Sequence, residues 1–215
     1  MEVGRDFRRL PALLHDRPLT DPLRPYWDFD DLDGTEARFR ALRAEALTQL
    51  ARVEGLRDRF AEADALLDTA AVESAAPLVR IRVDLERGRV RRSSGDKEAA
   101  LPLFETAFAG ALAAGEDWLA ADAAHMCALA APDRAGFLAW TQRGVELAES
   151  SQAAAYWLGP LLNNLGWEYF DAGEHEQALD AFERALAARE RDPENVAALE
   201  HAREAVASAR RALGR

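Results

Sequence analysis

The stretch from Gly159 to Pro193, GPLLNNLGWEYFDAGEHEQALDAFERALAARERDP, decides how this chain is read. Its apolar and small residues recur at the spacing of a helix surface, pass through a Gly-containing turn and resume. That pattern predicts one helix, a tight turn and a second helix. One hairpin of this size cannot bury its own apolar face, so it requires neighbours stacked against it. The rest of the chain reads as weaker copies.

The first copy begins near Asp33–Glu36, where Asp33 followed by Glu36 suits an N-cap with a capping box. Phe39, Leu42, Ala46, Leu47, Leu50 and Val53 then form an apolar stripe, which Gly55 interrupts. Phe60, Ala63, Leu66, Leu67 and Ala70 give the partner helix. The second pair carries Val79, Val83, Leu85 and Val90, breaks at Ser93–Gly95, and continues through Ala100, Leu103, Phe104, Ala107 and Leu112. Pro102 falls in the first turns of that helix, where a missing N–H costs least. A third pair opens at Trp118, turns at Pro132 and ends near Glu149. A last helix runs from about Glu194 to Leu213, before Gly214.

Aligned on their second helices, the pairs share three sites. Ala63, Ala100 and Ala178 occupy one, with Phe137 in the third pair. Leu67, Phe104 and Phe182 occupy the next, with Thr141 in the third. Ala70, Ala107, Gly144 and Ala185 occupy the last. The spacings are 37, 37 and 41 residues, a period that signals stacked helical repeats. Small residues at fixed places let helices cross closely, and the large one fills the gap they leave.

Composition agrees. The 215 residues are 49% hydrophobic and 30% charged, with helix formers dominant and strand signals almost absent. The net charge of −11 disfavours nucleic acid and anionic membrane as general partners. A single cysteine, Cys127, excludes an intramolecular disulfide and a cysteine-rich metal site. No stretch reads as a secretory leader or a membrane span, so a cytoplasmic location is expected. Arg outnumbers Lys 26 to 1, and there are only three Asn. We read the bias as that of a GC-rich coding sequence, against which an Asn stands out. Residues 1–34 are set apart by four prolines, Pro11, Pro18, Pro22 and Pro25. They read as a partly extended arm with one short helix around 7–14 and the aromatics Tyr26, Trp27 and Phe29 among Asp28, Asp30, Asp31 and Asp33. A calcium loop ending at Gly34 is excluded, because its first position would be Phe29 and its twelfth Arg40.

Leu165, Gly166, Tyr169, Ala178, Phe182 and Ala185 together resemble the tetratricopeptide repeat pattern, with Leu162 where that family often has Trp and Pro193 near its closing proline. The resemblance extends to 81–114 through Gly88 and to 44–76, where Ala51 replaces the glycine. In 118–150, His125 falls on the small-residue site unless the Pro132 turn shifts the register. The long period and the NNLG run look like bacterial variants. The resemblance implies an all-α, right-handed α-α superhelix of about four hairpins, near 36–72, 75–113, 116–150 and 153–191, with a capping helix over 194–213, all within a repeat domain 35–213. It implies a non-enzymatic scaffold that holds a peptide or protein segment in a concave groove lined by the first helix of each pair.

Candidate groove residues are those on first helices outside the crossing sites. In the fourth pair they are Asn163, Asn164 and Trp167; a side-chain amide both donates to and accepts from a peptide backbone. Arg82 and Arg89 stand with Glu86 in a segment holding six Arg against two acids, and Arg82 and Glu86 have the spacing to pair. Gln49 and Arg52 occupy the first pair. Trp118, Asp122 and His125 share a face in the third, where Asp122 is placed to orient His125; two ligands make no zinc site. No nucleophile elbow, phosphate loop or paired-carboxylate motif is present, so neither catalysis nor a cofactor is expected. Two alternatives remain open: a self-associating oligomer, such as a homodimer, and a peptide or small-molecule sensor module of a bacterial regulatory system.

Overall fold

The computed structural model describes residues 21–191 and 194–215; the short helix expected around 7–14, Pro11, Pro18 and Pro193 lie outside them. The described residues up to Arg40 and those from Ala41 onward fall into two compact units. Regular structure among the described residues is helical throughout. The nine α-helices are α1 (Leu32–Leu56), α2 (Phe60–Glu73), α3 (Pro77–Ser93), α4 (Lys97–Ala114), α5 (Asp117–Ala130), α6 (Arg134–Ser150), α7 (Leu158–Asp171), α8 (His175–Arg189) and α9 (Val196–Ala212). None is long and apolar enough to cross a membrane.

In the first unit a 3-10 turn, Arg24–Tyr26, leads into an aromatic cluster. Trp27 stacks on Phe29 with ring centres 5.5 Å apart and meets Phe39 edge-on at 5.4 Å. Arg38 Nε donates to the Tyr26 carbonyl at 2.9 Å. The helix start differs from the expected one. Asp31, not Asp33, caps it, its Oδ1 accepting from Gly34 N–H at 2.9 Å. Glu36, expected to complete a capping box, is held instead by Arg40 one turn on.

The second unit is built from hairpins. Every inner turn has three residues, 57–59, 94–96, 131–133 and 172–174, and the second helices begin at Phe60, Lys97, Arg134 and His175. The 37, 37 and 41 spacing therefore recurs in space, and Pro132 does not shift the third register. The longer last interval comes from the connection 151–157, whose 3-10 turn Ala155–Trp157 buries Trp157. The inner turns do differ in path. Gly95 and Gly173 adopt φ of 96° and 77°, and Asp58 takes the same place at 60°. Proline cannot reach that region, so the third turn runs extended through Asp133, whose carboxylate accepts from Gly136 N–H at 2.7 Å.

Within three of the pairs the crossing is the same. A Cβ on Gly88 would lie 2.5 Å from the Phe104 ring, and one on Gly166 would run into the ring of Phe182. Ala51 and Leu67, both fully buried, hold the corresponding places in the first pair. Only a glycine or alanine lets the large residue of the second helix lie flat on the first. In the third pair the corresponding residues are His125 and Thr141. Cys127 is buried on α5 as a small core residue, and burial pushes its thiol up.

Candidate interaction face

Counting back from each second helix brings equivalent residues of the first helices into columns. Arg52, Arg89, Met126 and Trp167 share one. Gln49, Glu86, Ala123 and Asn164 share another. Thr48, Leu85, Asp122 and Asn163 share a third. Six of the eight groove candidates, all but Arg82 and His125, thus fall in these columns on α1, α3, α5 and α7.

Many of them are already partnered. Arg89 donates through Nη1 to Glu86 Oε1 at 2.6 Å and through Nη2 to Asp122 Oδ1 at 2.5 Å. Arg52 Nη1 lies 3.6 Å from the same Glu86 oxygen. A row of alternating charge, Arg52–Glu86–Arg89–Asp122, therefore joins α1, α3 and α5. The Glu86 side chain is 4% exposed and that of Asp122 1%. Burial raises the Glu86 carboxyl above its ordinary value, partly offset by Arg89 and Arg52. Removing one member of such a row strands a buried charge, at a cost of about 3–5 kcal/mol. The row ties the first helices of three hairpins to one another. Arg82 does not pair with Glu86, as its spacing suggested, but reaches across to Glu45 at 3.3 Å.

Between α5 and α7 the link is uncharged. Asn164 Nδ2 donates to His125 Nε2 at 2.9 Å. The ring is neutral: burial pushes its pKa down to about 4, with Arg89 and Arg92 adding to the fall and Asp122 opposing it. Asn164, not Asp122, is the side chain that orients His125. The imidazole lies 5.4 Å from the Trp157 ring, which in turn meets Trp118 edge-on at 5.2 Å. No group of three or more His, Cys, Asp or Glu suited to a metal occurs among the described residues.

Asn163 and Trp167, one turn apart on α7, contrast with these. Asn163 is half-buried and makes no side-chain hydrogen bond among the described residues. Trp167 rests edge-on against Phe170 and Phe182, with ring centres 5.4 and 5.0 Å away, and stays 39% exposed. Of the eight candidates, Arg52, Arg89 and Asp122 join in the charged row, His125 and Asn164 pair with each other, Arg82 stands in a separate pair, and Asn163 and Trp167 are uncommitted. Sequence reasoning missed the central role of Glu86, which aligning the first helices exposes by placing it between Arg52 and Arg89. It also missed Trp157, whose turn lies outside the repeat pattern.

Residues 160–192 match the family model for the tetratricopeptide repeat. They span α7, its turn and α8. No curated protein matches the chain.

Proposed function

We propose that this tetratricopeptide repeat protein is a non-enzymatic scaffold that holds an extended segment of a partner protein along its first helices. Such repeats generally mediate protein–protein interaction, and the family is typically non-enzymatic. The observation that carries the reading to particular residues is the pair Asn163 and Trp167. Most polar side chains around them are already spent on one another, as Asn164 is on His125. The Asn163 amide keeps both its donors and its acceptor for a peptide backbone. Trp167 offers a large, rigid apolar surface of the kind that anchors protein interfaces. Arg52, 42% exposed at the far end of the row, adds a cation. The chain's net charge of −11 supports a protein rather than a nucleic acid as partner.

A peptide library displayed on phage and selected on the full chain tests this. Enriched peptides should bind the Asn163→Ala/Trp167→Ala variant at least tenfold more weakly, with its melting temperature little changed. Equal binding by that variant would overturn the assignment.

A further inference from the structure

The start of α5, the connection 151–157, the end of α8 and Asn195 line a cavity of about 380 Å³. None of its lining residues stands in the three columns of the first helices. Two half-exposed rings, Trp118 and Tyr156, form its apolar walls. Both are anchored on the buried Trp157, which they meet edge-on with ring centres 5.2 and 5.6 Å away. The rings are therefore set in place before anything binds, which lowers the entropy cost of binding. The charged walls are positive alone. Arg189 and Arg191 line the cavity, and among the described residues no acid does. Arg189 is held in position. A Cβ on Gly159 would lie 2.6 Å from its Nε, so the bare glycine of α7 gives it room, and its guanidinium sits 5.7 Å from the centre of the Tyr156 ring. Neighbouring arginines each pair with an acid, Arg184 with Glu149, Arg210 with Glu183 and Arg215 with Glu176. Arg189 and Arg191 make no hydrogen bond through their side chains and no ion pair among the described residues.

Two unpaired guanidiniums lining one pocket, in a chain of net charge −11, select the ligand. An ammonium would meet only cations. A neutral ring would cover the aromatic walls and leave both guanidiniums unmatched. An anion carried on a flat ring suits both walls at once. Guanidinium N–H groups donate to its oxygens, and the ring packs against Trp118 or Tyr156. Asn195 adds donors of its own, because its Oδ1 is spent on the Ala198 N–H at 3.2 Å and its amide N–H groups are not. The volume falls in the range of small-ligand sites. We propose that this cavity binds a small aromatic anion, a flat ring carrying a carboxylate. That ring and charge can arrive on a free acid or on the C-terminal residue of another chain, and the site's chemistry is the same for both. Nothing in this reading depends on Asn163 and Trp167.

Benzoate, N-acetylphenylalanine, cyclohexanecarboxylate and benzylammonium are titrated into the full chain labelled at tryptophan indole nitrogens. Of the five indole signals, that of Trp118 reports the cavity and is assigned by its loss in Trp118→Phe. Ligands this small bind in the millimolar range. Benzoate or N-acetylphenylalanine should shift the Trp118 signal saturably, at least about fivefold more tightly than benzylammonium, which has the ring and the wrong charge. Cyclohexanecarboxylate, which has the charge and no aromatic ring, should also bind more weakly. The tighter of benzoate and N-acetylphenylalanine names the source, a free acid or a chain end. Arg189→Gln and Arg191→Gln should each weaken that ligand at least about threefold with the melting temperature little changed. The site is overturned by any of three results: no saturable shift, benzylammonium or cyclohexanecarboxylate binding as tightly as the aromatic acids, or unchanged affinity in both arginine variants. The Asn163→Ala/Trp167→Ala protein should bind benzoate as wild type does, so this reading and the scaffold reading fail separately.

Discussion

The third and fourth hairpins have the same turn length and the same helix register, yet they use their crossing point in opposite ways. In the fourth, Gly166 lies bare beneath Phe182, and the ring fills the space. In the third, the glycine's place is taken by His125 and the phenylalanine's by the buried Thr141. The large group has moved from the second helix to the first. There it reaches the face of the first helices, meets Asn164 and lies against Trp157. The backbone repeat tolerates the exchange because the two residues change size together. What changes is what the face presents: a packed aromatic carrying Trp167 in one hairpin, a neutral imidazole in the other.

The contrast can be broken most forcefully in the fourth hairpin. Phe182→Ala leaves a cavity against Gly166 and should cost about 3–5 kcal/mol in chemical denaturation. In the third, acid is the lever. The His125 pKa in the fold, about 4, lies below its ordinary value of 6.5. The unfolded chain therefore takes up the proton first as pH falls. Stability present above pH 6.5 should be lost progressively down to pH 4, by about 2 kcal/mol at pH 5. Denaturation of wild type and His125→Asn at pH 7 and pH 5 measures it, and the variant should lose less between those two values.

Exchanging the hairpins' logic sharpens the comparison further. Thr141→Phe should overpack the third hairpin against His125 and cost about 1–3 kcal/mol. The double variant Thr141→Phe/His125→Gly, which restores the pairing of the fourth, should recover most of that in a thermal melt. A double no better than the single would mean that the two crossings are not equivalent. The smallest effect is expected at Asn164→Ala, which removes one hydrogen bond to His125 at about 1 kcal/mol.

The hairpins and their period were legible because they rest on local rules. Gly88, Gly166, Phe104 and Phe182 sit at fixed helical offsets, and their sizes alone announce the crossing. The start of α1 differs from the expected one because Asp31 and Asp33 are equally good caps on paper. Which one turns its carboxylate to the backbone is a matter of geometry. The polar face was legible only in part. Arg82 and Glu86 have helical spacing that suggests a pair within α3, but the contacts that form run between helices, to Glu45, Arg52 and Asp122. Such partners depend on how hairpins stack, which the spacing within one helix does not encode. Trp157 was hidden for a different reason: it lies in the one connection that departs from the repeat.

In the proposed scaffold the uncommitted amide and indole of α7 are the gripping pair. The most direct test is the affinity of one library-selected peptide, by calorimetry, for wild type, Asn163→Ala/Trp167→Ala and Asn164→Ala. A loss of tenfold or more is expected for the first variant and a change within about threefold for the second. Equal affinity for wild type and the Asn163→Ala/Trp167→Ala protein, with both folded, would contradict it.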